Sequence, residues 1–91
     1  SYIAGLNERF DGNVVLVPAG YNAGPRRASE WIDRFGDPRR EDADGIIYWI
    51  EAIPFTETRN YIMRVTESLA IYEAQLTGEL PEIGLTERLL R

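Results

Sequence analysis

The sequence predicts an all-α fold of four to six helices, mostly short, around one hydrophobic core. Apolar residues recur at helical spacing along most of the chain, and glycine or proline separates each such segment from the next. The run from Val14 to Val17 has the composition of a buried strand, but no second run is present to pair with it. Because an unpaired strand leaves its backbone groups unsatisfied, we predict a buried helix over 13–21, distorted at Pro18.

Composition limits both the size of the protein and its chemistry. Its 91 residues make one domain at most, and the apolar (44%) and charged (27%) fractions are ordinary for a soluble globular protein. The chain has neither cysteine nor histidine, which excludes disulfides, thiolate metal sites and histidine-based catalysis within it. Any reaction must therefore use carboxylates, tyrosines, arginines or backbone groups.

The charge balance and the hydropathy pattern limit the classes of partner that the chain is expected to bind. The net charge of −5 makes nucleic acid and anionic membranes poor partners. The sequence contains neither an apolar run of about 20 residues, as a membrane-spanning helix needs, nor the basic-then-apolar start of a signal peptide. Its first residues already follow a helical pattern, so we expect the sequence to be a piece of a longer protein.

The first three predicted helices are separated by glycine turns. The first covers 2–10 and ends before Gly12, which suits a left-handed exit. Asn13 is placed to cap the second helix. Pro25 suits the first helical position of the third, which covers 25–35 and is followed by Gly36.

A polar loop over 36–45 is predicted to lead into a short apolar helix over 46–53, which Pro54 ends. Thr56 is predicted to cap the longest helix, which covers 57–77. An apolar stripe at alternating spacings of three and four residues supports this helix: Ile62, Val65, Leu69, Tyr72 and Leu76. Gly78 ends it, and residues 79–91 form either a loose tail or a single docking turn.

Three features suit either chemistry or a purely structural role. The corner over residues 19–25 is a simple turn between helices or a ligand contact. In the segment 55–61, Glu57 and Tyr61 are four residues apart and share a helix face, which suits a capping motif with a core tyrosine or a site with an acid and a hydroxyl. The third feature is an aromatic set that belongs to the core or lines a carbohydrate groove: Trp31, Tyr48 and Trp49. A glycosidase-type mechanism is open to such a chain because it needs only carboxylic acids.

Two of these features together resemble a known enzyme family. Residues 21–25 (Tyr-Asn-Ala-Gly-Pro) resemble a motif of the lytic transglycosylases, bacterial enzymes that cleave peptidoglycan. Residues 53–61 (Ile-Pro-Phe-Thr-Glu-Thr-Arg-Asn-Tyr) resemble a later motif of the same family. Both motifs occur in the family's order, and the resemblance, which covers about residues 2–77, is closest to the soluble lytic murein transglycosylases.

The resemblance implies a fold, a reaction and a location. The fold is lysozyme-like, of the goose type. The parent enzyme breaks the β-1,4 bond between N-acetylmuramic acid and N-acetylglucosamine and forms a 1,6-anhydro product, with one glutamate as acid and then base. It needs no metal or cofactor, its partner is the peptidoglycan glycan strand, and it acts in the periplasm or cell envelope.

The sequence also departs from the family pattern. The catalytic glutamate of the family lies in a Glu-Ser motif, followed by Gly-Leu-Met-Gln, upstream of the first motif, and neither is present here. The resemblance therefore implies that residues 1–78 are the C-terminal part of a catalytic domain, followed by a tail over 79–91, and that the chain alone is inactive. Gly20 replaces the more usual alanine, and Pro18 is unusual in that helix.

The resemblance of the two motifs implies that five residues of this sequence form a wall of the glycan groove. None of the five is implied to be a catalytic residue or a metal ligand. Tyr21 and Asn22 would touch sugar or orient the missing glutamate. Gly24 would allow a close approach of the backbone to the ligand. Glu57 would be a groove acid or a cap of the helix N-terminus, and the hydroxyl of Tyr61 would lie near the active centre.

A non-catalytic helical module that binds glycan or a protein partner is the alternative. An upstream Glu-Ser followed by Gly-Leu-Met-Gln would support the enzyme, and the absence of both would support the module. We also expect the isolated chain to self-associate, to swap elements or to be loosely packed, because the apolar faces of 13–21 and 46–53 would normally pack on the missing half of the domain.

Overall fold

The computed structural model describes residues 1–78, so the predicted tail over 79–91 lies outside the described residues. The all-α prediction is confirmed for this part of the chain, which forms five α-helices and one 3₁₀ turn. The helices are α1 (Tyr2–Arg9), α2 (Leu16–Ala23), α3 (Pro25–Phe35), α4 (Ala43–Ala52) and α5 (Thr56–Thr77), and the 3₁₀ turn is Pro38–Arg40.

Helix α2 is central, because it packs against α1, α3 and α5. The predicted bounds of 13–21 are wrong at both ends, because the helix begins at Leu16, with Val15 in the cap position, and continues to Ala23. Asn13, the predicted cap, still supports the start of the helix: its Oδ1 atom accepts hydrogen bonds from the backbone N–H groups of Val15 (3.0 Å) and Leu16 (2.9 Å).

Pro18 is the third residue of α2. The N–H groups of Val17 and Ala19 donate to the carbonyls of Asn13 and Val15, so Pro18, which has no N–H, interrupts this series of hydrogen bonds at one residue. The predicted irregularity at Pro18 is limited to this missing bond, because the helix is continuous from Leu16 to Ala23.

Gly20 allows α1 and α2 to approach closely. A Cβ atom at this position would lie 3.1 Å from the side chains of both Leu6 and Phe10. Alanine would therefore require the two side chains to move by a few tenths of an ångström. The glycine is explained by this packing and leaves α2 a regular helix.

The hydrophobic core collects side chains from all five helices and from the turns between them. Trp31 and Trp49 meet edge to face, with ring centroids 6.5 Å apart, and both are buried. Of the two explanations for the aromatic set, the core is right for these tryptophans and wrong for Tyr48, which is 69% exposed. The buried apolar cluster consists of Leu6, Phe10, Val15, Leu16, Ala19, Ala28, Trp31, Trp49, Ile50, Ile53 and Ile62.

The predicted polar loop over 36–45 extends too far at its C-terminal end, because its last residues are helical in the structure. The side chain of Asp42 accepts a hydrogen bond from the N–H of Gly45 (2.9 Å), and α4 begins at Ala43. An aspartate in this position is a strong helix start signal that the apolar pattern alone does not reveal. A similar shift occurs at α5, where Thr56 is the first helical residue and not the predicted cap.

Arg39 connects this loop to the turn after α1. Its guanidinium donates to the carboxylate of Asp37, with Nη2 2.8 Å from Oδ2, and to Oδ2 of Asp11 at 2.7 Å. The hydrogen bond from Arg39 lowers the pKa of the Asp37 carboxyl below its usual value. The loop between α3 and α4 is thereby held by charge at one end of the core.

Many apolar side chains of the segments 13–21 and 46–53 are already buried within the chain. Leu16, Ala19, Ile47 and Ile50 are among them. The expectation that these faces need a missing half of the domain is therefore wrong for those side chains. Self-association stays a prediction, and a sharp monomeric species in ultracentrifugation combined with cooperative melting would contradict it.

The apolar stripe of α5 is buried only over its first half. Ile62 is buried, whereas Leu69 and Leu76 are 40% and 69% exposed. The buried residues of this helix are Thr58, Ile62 and Thr66, each four residues after the last. Within residues 1–78, no helix is both long and apolar enough to cross a membrane.

Candidate functional site

The two sequence motifs meet where the end of α2 crosses the start of α5. Asn22 lies in the last turn of α2, and Thr58 lies in the first turn of α5. The hydroxyl of Thr58 donates a hydrogen bond of 2.6 Å to Oδ1 of Asn22. Since Thr58 is 1% exposed, this bond is shielded from water and fixes the two motifs relative to each other.

A row of three tyrosine rings lies beside this bond. Tyr21 stacks on Tyr61, with ring centroids 6.0 Å apart and an angle of 22° between the planes. Tyr21 also lies 6.1 Å from the ring of Tyr2, at an angle of 55°. The central ring is still 49% exposed, so the row presents aromatic edges and hydroxyl groups to solvent.

Gly24 is both the last residue of the α2 turn and the residue before Pro25, the first of α3. Its φ of 99° is in the region that side chains rarely adopt, so glycine is required by the backbone conformation. Its N–H donates to the carbonyl of Gly20 at 2.9 Å. Among residues 1–78, no atom outside the glycine and its two chain neighbours lies within 4 Å of the position that a Cβ would occupy, so the described residues leave the space beside this glycine open.

Glu57 differs from the other four predicted site residues. It is exposed in the first turn of α5, and it takes part in none of the hydrogen bonds and ion pairs formed among residues 1–78. Its carboxylate is favoured there by the helix dipole. The other four predicted residues lie together at the α2–α5 crossing. Tyr21 stacks on Tyr61, Asn22 accepts the hydrogen bond from Thr58, and Gly24 forms the turn that follows.

Residues of the second motif also stabilise the turn that leads into α5. The guanidinium of Arg59 donates to the carbonyl of Ile53, and its Nη2 atom donates to Oγ1 of Thr56 at 2.8 Å. Phe55 packs edge to face on Trp31, with centroids 5.6 Å apart, and Arg27 lies 4.7 Å above its ring. These contacts set the direction in which α5 leaves the core.

Three residues of this region were not predicted as site residues from the sequence: Tyr2, Thr58 and Arg59. Thr58 could have been found, because it lies four residues before Ile62 on the buried stripe of α5. Arg59 belongs to the quoted motif, but its role depends on how the chain bends at Pro54. No local signal identifies Tyr2, since its contact with Tyr21 depends on how α1 packs on α2.

The site offers hydrogen-bonding groups without charge. Asn22 uses its carbonyl oxygen for Thr58, so its NH₂ group is left to donate to a ligand. The tyrosines add hydroxyl groups that donate and accept. In the part of the chain that is described, no group of three acidic side chains is placed to hold a metal ion. The surface is chemically suited to a polyhydroxylated ligand.

Comparison with known proteins finds relatives of one kind. The chain is 36% identical over 83 residues to the soluble lytic murein transglycosylase of Escherichia coli K12, a match that covers 91% of this chain and 12% of that protein. It is 36% identical over 72 residues to the protein of the same name from Salmonella typhimurium, covering 79% of this chain and 10% of that protein. A Haemophilus influenzae protein with the provisional name soluble lytic murein transglycosylase is 33% identical over 86 residues, which is 94% of this chain and 14% of that protein.

The chain thus spans between about a tenth and a seventh of the length of these relatives. No protein-family model matches the chain, and no solved structure matches it significantly. The similarity includes most of the chain and therefore both motifs of the α2–α5 crossing.

Proposed function

We propose that this chain is part of a peptidoglycan lytic transglycosylase, and that the crossing of α2 and α5 forms one wall of its glycan-binding groove. The observation that carries the proposal is the contact between the two motifs, in which Thr58 bonds to Asn22 at 2.6 Å and Tyr21 stacks on Tyr61. The names of the relatives support murein as the substrate.

The chemistry of the wall supports a glycan strand as its ligand. Tyrosine combines a flat apolar ring with a polar tip, and a sugar ring presents apolar faces bordered by hydroxyl groups. The NH₂ group of Asn22 and the open backbone beside Gly24 add donors and room for close approach. We assign Tyr21, Asn22, Gly24 and Tyr61 to direct contact with sugar, and Glu57 to the rim of the groove.

The reaction follows from the resemblance to the family. A glutamate outside this chain acts as acid and then base, while the muramyl 6-hydroxyl closes on the anomeric carbon. Such a glutamate needs a raised pKa, which an apolar wall with few charges favours, and a hydroxyl group to orient it. The tyrosine row is the part of this chain that would supply both.

The proposal extends to architecture and location. Residues 1–78 would be the C-terminal part of a goose-type, lysozyme-like catalytic domain, and 79–91 a tail beyond it. The parent protein would act in the periplasm or cell envelope, where its substrate lies. The chain alone would bind glycan without cleaving it.

A sedimentation assay with purified peptidoglycan tests the proposal. We expect the chain to sediment with peptidoglycan, Tyr21→Ala to sediment much less, and Tyr72→Ala, an exposed tyrosine on the second half of α5, to behave like the unaltered chain. We expect no release of anhydromuropeptides. Equal sedimentation of all three proteins would contradict the assigned wall, and anhydromuropeptide release would contradict the inactivity of the chain.

A further inference from the structure

Tyr21 is held in place although about half of its surface is exposed. Its ring has two aromatic neighbours, Tyr61 from α5 and Tyr2 from α1. An exposed tyrosine at the end of a helix normally samples several side-chain rotamers. Contacts with two rings restrict this freedom, and Tyr2 supplies the one that comes from α1.

Tyr2 also contacts the backbone that supports the site. Its hydroxyl donates to the carbonyl oxygen of Gly20 at 3.4 Å, a long hydrogen bond. The same oxygen accepts the N–H of Gly24 at 2.9 Å. One side chain of α1 therefore touches both the ring of Tyr21 and the carbonyl on which the Gly24 turn closes.

We propose that Tyr2 is a positioning residue of the glycan-binding wall, acting through Tyr21 and the Gly24 turn. This inference rests on the proposed function. Holding Tyr21 in its binding conformation before the ligand arrives removes part of the ordering cost of binding. Tyr2 thereby raises the affinity for glycan without itself touching the sugar.

A double-mutant cycle tests this role, with soluble peptidoglycan glycan strands as the ligand and calorimetry as the measurement. We expect Tyr2→Leu to weaken binding by about 3- to 10-fold, within the range of a lost aromatic pair. Tyr2→Phe keeps the ring and should lose about twofold or less. In the Tyr21→Ala background, Tyr2→Leu should cause a further loss of only about twofold or less, because the contact with the ring of Tyr21 is gone and only the hydrogen bond to the Gly20 carbonyl remains to be lost.

Additive losses in the cycle would overturn the positioning role, since they would mean that Tyr2 acts independently of Tyr21. Tyr72→Leu serves as the control for removal of an exposed tyrosine ring. Failure of the unaltered chain to bind glycan strands would contradict the proposed function and, with it, the role of Tyr2 in binding.

A second measurement needs no glycan and separates the two claims. In NMR spectra of the free chain, Tyr2→Leu should shift the ring signals of Tyr21 and the amide signal of Gly24, while Tyr72→Leu should leave both unchanged. Unchanged signals in the Tyr2→Leu variant would overturn the inference even where the unaltered chain binds glycan.

Discussion

The protein contains two groups of three aromatic rings, which differ in exposure and in the use of their polar atoms. Trp31, Trp49 and Phe55 pack edge to face, and the two tryptophans are 3% and 1% exposed. The tyrosine row lies on the surface, and Tyr2 and Tyr21 are 56% and 49% exposed. Both groups join residues from three segments of the chain.

Polar atoms explain why one group is core and the other is a candidate site. The indole N–H of Trp49 donates to the carbonyl of Gly36 at 2.7 Å, so its one polar atom is used inside the protein. In the tyrosine row, the hydroxyl of Tyr2 donates to the carbonyl of Gly20, and the hydroxyls of Tyr21 and Tyr61 are the ones left to bond to a ligand. We therefore expect the tryptophans to contribute mainly stability and propose that the tyrosines contribute mainly to ligand binding.

The largest effect on stability is expected for Trp49→Ala. Loss of a buried tryptophan should cost about 3–5 kcal/mol of unfolding free energy, a large part of the stability of a small domain. Chemical denaturation followed by circular dichroism measures it. Tyr48→Ala, at the exposed neighbouring position, is the control and should stay within about 0.5 kcal/mol. Similar losses for both variants would contradict the assignment of Trp49 to the core.

Thr58→Val tests the bond that joins the two motifs. The variant keeps the shape of the side chain but leaves Oδ1 of Asn22 without its donor, at a cost of about 1–2 kcal/mol. Glycan affinity should fall as well, because Asn22 loses its fixed orientation. Thr58→Ser retains the hydroxyl and should preserve affinity. Equal affinity in the valine and serine variants would show that the bond does not support the site.

Tyr21→Ala should separate the two aromatic groups most clearly. Because the ring is half exposed, its loss should cost about 1 kcal/mol of stability or less. Glycan affinity, measured by calorimetry, should fall by about tenfold or more, since the central ring of the row is gone. A large loss of stability with unchanged affinity would place Tyr21 in the core group.

The smallest effect concerns Asp37, which holds the loop that presents the Gly36 carbonyl to Trp49. The pKa of Asp37 is lowered by its hydrogen bond with Arg39, so its folded value lies below the ordinary 3.8. The stabilisation is therefore nearly complete above about pH 5 and is lost as the pH falls through the folded pKa. The difference in unfolding free energy between the unaltered chain and Asp37→Asn should shrink below pH 3.8, and a constant difference would contradict this.

Helix types were predictable from the sequence because apolar spacing and capping residues are local signals. Asn13, Pro25 and Gly36 mark the ends of helices as expected. The observed starts of α4 and α5 differ from the predicted ones because Asp42 and Phe55 occupy the cap positions. Cap positions depend on backbone geometry, which the spacing of apolar residues does not reveal. The apolar stripe of α5 gave no sign that its second half is exposed, since burial depends on where the neighbouring helices end.

The candidate site was predictable only as two separate motifs. Tyr21, Asn22, Gly24 and Tyr61 are neighbours in the structure, but the contact between the motifs depends on the crossing of α2 and α5. Tyr2 could not be assigned, because its partner lies on a different helix. Spacing also failed to separate exposed Tyr48 from buried Trp49, which are adjacent in the sequence and on different faces of α4.

NMR titration of the chain with soluble peptidoglycan glycan strands tests the central claim most directly. The wall proposed here predicts signal changes at Tyr21, Asn22, Gly24 and Tyr61, with the indole N–H signals of Trp31 and Trp49 unchanged. Signal changes confined to other surfaces, or no changes at any glycan concentration, would contradict it.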